Sequence, residues 1–262
     1  MILEWKDSGF SPTDQLIGLI FDAGFVRRKD AKTLLNTSEA SMLYRLRKAN
    51  NGRVNPLIRS FPLTGGEHMG VALALTWHGV EYAHALVGIN GRIVAQEGQM
   101  DHQLNLLDVL LRFIPKIAVD HQETIKWYST REATDALHNM QQKVSKSRTE
   151  IKAPTIRPDA LLGVNSKYAW VEYDNDTESA SQLRKKMWLY TTHFEYDTER
   201  TAHVPVRTVV WVARNARRTE QLAKIWGEFE KAGTTFGTRM FFYERAQEDF
   251  KAVKFDKVDY VP

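Results

Sequence analysis

The chain has no cysteine, which excludes disulfides, thiolate zinc sites and a cysteine nucleophile. No apolar run approaches the roughly 18 residues of a membrane span, so no contact with a bilayer core is expected. The opening MILEWKDSGF lacks a basic stretch followed by an apolar core, and no secretory leader is read from it. Together these absences fit a reducing cytoplasm. No glycine-rich phosphate loop is readable, because Gly65-Gly66 is not followed by Lys-Ser/Thr. His138, His193 and His203 show no metal-ligand spacing with His102, and no Ser-His-Asp arrangement can be made out.

The chain does have enough apolar sequence for real cores. Of 262 residues 43% are hydrophobic and 11% aromatic, sufficient for two modest domains or one large one. The net charge of +4 is mild but localised. Between Arg27 and Arg59 nine basic residues face only Asp30 and Glu39, a local excess of seven, which leaves the remainder of the chain at −3. A basic field confined to one segment points to a polyanion.

That segment has its own pattern. Ser11-Pro12 reads as the start of a first helix with Leu16, Ile17, Ile20 and Phe21 at helical spacing, stopped at Gly24. A short second helix runs from about Lys29 to Leu35, with Ala31, Leu34 and Leu35 inward. Asn36–Glu39 is a turn ending in a cap, and SEASMLYRLRKAN is a third helix with Ala40, Leu43, Leu46 and Arg47 within its span. Arg45, Arg47 and Lys48 cannot all face one way, so some meet phosphate or bases and some only solvent, and the stem of Arg47 can run along the core. A hairpin follows, Val54–Phe61 and Val71–Leu75 around PLTGGEHMG, and then Thr76 caps a helix to Leu86.

Helix, short helix, turn, helix and hairpin is the order of a winged helix-turn-helix. Arg27, Arg28, Lys29, Ser38, Ser41, Tyr44, Arg45, Lys48, Arg53 and Arg59 are the DNA-binding candidates. Ser38, Ser41, Tyr44 and Arg45 are placed toward the bases. The blander alternative is a small helical domain that binds protein through a solvated basic face.

Residues 89–100 lose the pattern and read as a linker, giving a first domain over 1–98 and a second over 99–262. In the second, Asp101 caps a helix with Leu104, Leu107, Val109, Leu110 and Phe113, ended by Pro115. Glu123–Tyr128 is a strand, and a helix begins near Arg131. Gln141–Arg157 reads as a basic loop. Asp159–Val164 and Tyr168–Tyr173 form a hairpin around Asn165-Ser166-Lys167. Thr177 caps a helix to about His193, and Val206–Val212, Arg217–Lys231 and Met240–Tyr243 complete strand, helix, strand. The expectation is an α+β or α/β domain, a mixed sheet with helices on both faces.

This order resembles the core of the PD-(D/E)xK nuclease fold. Pro158-Asp159 supplies the first part of its motif and Glu172-Tyr173-Asp174 the second, with Asp174 where the fold has lysine. The resemblance implies Asp159, Glu172 and Asp174 as ligands of magnesium or manganese and as catalytic groups. Lys186, four residues before Tyr190, then supplies the missing positive charge from the following helix. With Asp176, these acids crowd one rim. The site is read as degenerate, an inactive scaffold rather than an enzyme.

The winged-helix start, LALTWHG (Leu73–Gly79), DHQLNLLDVLL (Asp101–Leu111) and RPDALL…VEYDNDTES…KKMWLY (Arg157–Tyr190) together resemble the replication-relaxation proteins of plasmids and integrative elements. The family also reads Glu-x-Asp at Glu172 and Asp174, and its usual glycine before the threonine is Asp176 here. The resemblance implies duplex DNA as partner, at an origin or transfer site, with a relaxase or another replication or transfer protein beside it. A homodimer fits repeated sites. A metal-dependent endonuclease or nickase and a winged-helix transcription regulator are the alternatives.

Overall fold

A computed structural model of the chain describes residues 2–65, 68–88, 95–117, 125–144, 156–194, 205–245 and 256–257. The chain divides into two units, Met1–Leu111 and Arg112–Pro262. Of the segment expected to be a linker, residues 89–94 lie outside the described residues. So does 145–155 of the expected basic loop, whose first four residues instead finish a helix.

The first unit begins with a 3-10 turn, Ile2–Asp7, and α1 (Pro12–Ala23), capped by Ser11 and closed by Gly24 at φ 72°. A short β1 (Phe25–Arg27), not anticipated from the sequence, precedes α2 (Arg28–Leu34) and α3 (Glu39–Asn50). The hairpin β2 (Ile58–Gly65) and β3 (His68–Leu75) follows, then α4 (Trp77–Val87). The sheet order is β1-β3-β2, antiparallel throughout.

Asn50 at the end of α3 fixes where the hairpin begins. Its side chain donates to the Ile58 carbonyl at 2.8 Å and accepts from the Leu57 and Ile58 amides. Val54, expected to open the strand, is instead 98% exposed in the loop before it. Thr76 caps α4 by accepting from Gly79. A side chain at Gly79 would meet the Leu57 carbonyl at 2.1 Å, so only glycine lets α4 come this close to the start of β2.

The division between the units falls inside α5 (Met100–Ile117). Its N-terminal turns, expected to open the second domain, lie with the first unit. Leu104 is fully buried with Phe25, Ala72 and Ala74, and Asp108 pairs with Arg27.

The second unit holds β4 (Ile125–Ser129), α6 (Thr130–Val144), β5 (Ala160–Val164), β6 (Lys167–Asp174), α7 (Ala180–Phe194), β7 (Thr208–Ala213), α8 (Ala216–Lys231), β8 (Arg239–Glu244) and β9 (Asp256–Lys257). The main sheet path is β4-β5-β6-β7-β8. β4, β5 and β6 are antiparallel neighbours, whereas β6, β7 and β8 run parallel. β9 adds a short pairing to β6.

Lys167 pairs with Val164, so the β5–β6 turn is the two residues Asn165 and Ser166, with Asn165 at φ 56°. β6 and β7 are buried on both faces, which is why AWVEY reads as an apolar run around the single charge of Glu172 and TVVWVA as a run with no charge at all. Buried residues of α6, α7 and α8 all join one core with Leu161, Trp170, Val209 and Trp211. Opposite residues of paired strands share a face, so these three helices pack on one side of the sheet rather than being split between both.

Candidate functional site

On α3 the buried residues are Met42, Arg45 and Ala49, at spacing i, i+3, i+7. Leu43 and Tyr44 turn outward, 36% and 60% exposed, together with Ala40, Arg47 and Lys48. Met42 and Ala49, rather than Leu43, set its inner face, and the long aliphatic stem of arginine lets Arg45 join them. Arg45 Nε and Nη1 are buried without a hydrogen-bond partner, and burial lowers its pKa. This removes Arg45 from the outward face and leaves Arg47 and Lys48 there. Neither has an ion-pair partner among the described residues.

The other basic candidates separate in the same way. Arg27 is buried and anchors both Asp30 and Asp108, so it holds α2 and α5 rather than facing a partner. Burial works against its charge, but hydrogen bonds to Asp108 and Asp30 raise its pKa overall. Arg28 pairs with Glu39 at 3.1 Å. Arg59 lies over the Phe61 ring and bonds the Ala95 carbonyl and Glu97. Ser38 caps α3 through the Ser41 amide. Lys29 and Arg53 are exposed, Arg53 over the Tyr82 ring.

In the second unit, Glu172 sits in the middle of the sheet and is fully buried. Parallel pairing sets it beside Trp211. From α7 the Lys186 ammonium lies 2.6 Å from Glu172 Oε2 and 5.4 Å from the centre of the Trp211 ring. Tyr190, one turn further along α7, donates its hydroxyl to Glu172 Oε1. Asp159 lies just ahead of β5 and accepts from the Tyr173 amide at 2.8 Å.

Burial pushes the Glu172 carboxyl up to about 8, against the attraction of Lys186 and with the Asp159 charge adding to the rise. Lys186 moves up too. Burial disfavours its charge, but Glu172 and Asp159 outweigh that. Burial and then Glu172 drive Tyr190 well above its ordinary value. The result is a buried Lys186–Glu172–Tyr190 cluster in which the Glu172 carboxyl keeps its proton until about pH 8, with Lys186 the most exposed member.

Asp174, expected beside Glu172 as a metal ligand, is instead held by Arg218 of α8. The guanidinium bonds both carboxylate oxygens, Nε–Oδ2 at 2.5 Å and Nη2–Oδ1 at 3.2 Å, and both side chains are almost fully buried. Arg218 also donates to the Glu178 carbonyl. Asp176 stands at φ 62°, the left-handed region that glycine takes easily. Its amide donates to Asp174, and its carboxylate reaches Arg217 and Arg218. Ser179, not Thr177, caps α7. Ser179 and Gln182 bond each other's amides as a capping box.

Asp159, Glu172 and Lys186 are thus brought together, while Asp174 is not. Glu172 has its two oxygens on Tyr190 and Lys186, and Asp174 has both on Arg218. No group of three His, Asp or Glu side chains among the described residues could hold a metal ion. A magnesium or manganese ion needs carboxylate oxygens free to point at it, and these residues do not fit one.

The family model of the replication-relaxation proteins matches residues 8–207. The chain belongs to the replication-relaxation family. No curated protein and no solved structure matches it. Membership points to a role in replication or relaxation. The matched stretch contains α3 and all of Asp159, Glu172, Asp174 and Lys186, but not Arg218. That arginine was missed because its partner lies 44 residues away. The Ser179-x-x-Gln182 box was in plain sight in the sequence of this replication-relaxation protein.

Proposed function

We propose that this replication-relaxation protein binds duplex DNA through the outward face of α3 and acts at an origin or transfer site of a plasmid or conjugative element, as an accessory of the relaxosome. The observation that carries the reading is that face: Tyr44, Arg47 and Lys48 project together, while the apolar side of the helix closes a small core. Helix, strand, helix, turn, helix and hairpin, with sheet order β1-β3-β2, supports reading the first unit as a winged helix-turn-helix. In such a domain the third helix enters the major groove and the hairpin meets the backbone. The second unit is then a nuclease-like scaffold that holds DNA or a protein partner such as a relaxase.

A footprint on DNA of the element that carries the protein tests this. Protection of a discrete duplex site, lost when Arg47 and Lys48 are both changed to glutamate, is expected. No protection of any duplex would overturn it.

The convergence of Asp159, Glu172 and Lys186 keeps a nickase as the second reading. Supercoiled DNA with the protein in magnesium or manganese should stay supercoiled. Nicking that disappears in Asp159→Ala and Glu172→Ala would replace the scaffold reading with an enzyme.

A further inference from the structure

The second unit carries an exposed tryptophan. Trp188 on α7 is 52% exposed, whereas Trp127, Trp170 and Trp211 are buried to within 1%. One helical turn before it on the same face stand Arg184 and Lys185, and one turn after it Thr192. Arg184 reaches across to Glu228 of α8 at 3.0 Å, and Glu228 is held below the usual carboxylate range by that hydrogen bond first, with Lys224 and Lys231 adding to it. The outward surface of α7 and α8 therefore combines one indole with Arg184, Lys185, Lys224 and Lys231, against Glu220 and Glu228 on the same stripe of α8. Lys185 has no ion-pair partner among the described residues. Nothing in the Glu172–Lys186 cluster needs Trp188, which points away from it: Met187 and Tyr190 are the buried neighbours.

An aromatic face among cations suits an anion that also offers flat rings. Intact duplex DNA keeps its base faces stacked inside and can give such a surface only phosphates. A single strand gives both. We propose that the outward face of α7 binds single-stranded DNA, with Trp188 stacking on an unpaired base and Arg184 and Lys185 meeting the flanking phosphates. This is a second nucleic-acid surface, separate in sequence and in chemistry from α3, and it does not depend on the duplex-binding reading.

The full chain is titrated with a labelled thymidine oligonucleotide and, separately, with a labelled duplex. Trp188→Ala should weaken single-strand binding roughly ten- to a hundred-fold, Trp188→Phe should retain most of it, and Lys185→Glu should weaken it and flatten its salt dependence. Duplex affinity of Trp188→Ala should stay at the wild-type value, and its far-ultraviolet circular dichroism should be unchanged because the side chain is exposed. Single-strand affinity unaffected by Trp188→Ala, a wild-type chain that binds no single strand, or a Trp188→Ala chain whose only change is loss of self-association would each overturn the proposal, the last by making the face a protein contact. A wild-type chain that binds single strands but no duplex would overturn the α3 reading and leave this one standing.

Discussion

The charged groups of the two units are placed in opposite ways. On α3, Arg47 and Lys48 point outward, while in the second unit Glu172, Lys186, Asp174 and Arg218 face one another inside the fold. Charge in water is cheap and available to a partner. Charge in a core is tolerated only when each group is matched, and removing one partner leaves the other stranded. The first unit contains both kinds, because Arg27, just ahead of α2, is buried between Asp30 and Asp108. A run of basic sequence therefore holds buried, paired arginines side by side with exposed ones that are unpaired among the described residues.

The sharpest break of that comparison is Arg218→Ala. It leaves Asp174 buried with no cation, at a cost of about 3–5 kcal/mol, readable as a lower midpoint of urea unfolding for the second unit. Arg218→Lys should recover only part, because an ammonium cannot grip both carboxylate oxygens. Arg27→Ala should act similarly on the first unit, whereas an equal loss from Arg47→Ala would contradict the division into inner and outer charges.

The next effect is on pH. Glu172 has a folded pKa of about 8 against an ordinary 4.5, so the folded state holds a proton that the unfolded chain has released. Its contribution to stability is complete below 4.5 and is lost as pH rises through about 8, with a slope of at most about 1.4 kcal/mol per pH unit. Glu172→Gln should flatten that slope. A slope that survives the substitution would show that another group is responsible.

The sequence revealed much of the framework, and its failures have particular causes. The caps at Ser11, Ser38 and Thr76, the stop at Gly24 and the β5–β6 hairpin were legible because each is a local signal. The phase of α3 was not, because Ala40-x-x-Leu43-x-x-Leu46 and Met42-x-x-Arg45-x-x-x-Ala49 are both helical stripes and only packing against α1 and β2 chooses between them. β1 was invisible, since three residues carry no period. Lys186 was expected to reach the Glu172 site from the following helix by its place four residues before Tyr190, and its ammonium lies 2.6 Å from Glu172. Asp174 could not be assigned, because its partner Arg218 comes from a helix after the next strand.

Smaller effects follow from the same positions. Arg45→Met removes a buried guanidinium whose Nε and Nη1 make no hydrogen bond. It should leave stability unchanged or raise it by about 1 kcal/mol, and a loss of several kcal/mol would mean that the charge has a partner. Asp176→Gly relieves the left-handed backbone but gives up the carboxylate's contacts with Arg217 and Arg218. The two nearly cancel, and thermal unfolding should shift by the equivalent of less than about 1 kcal/mol.

The central claim is that α3 meets duplex DNA through Arg47 and Lys48 and not through Arg45. It is tested most directly by the salt dependence of duplex binding. In Arg47→Glu/Lys48→Glu, the slope of log affinity against log salt should flatten by about two, as two phosphate contacts are lost, with the unfolding midpoint unchanged. A wild-type slope and affinity in that variant would remove α3 from the interface.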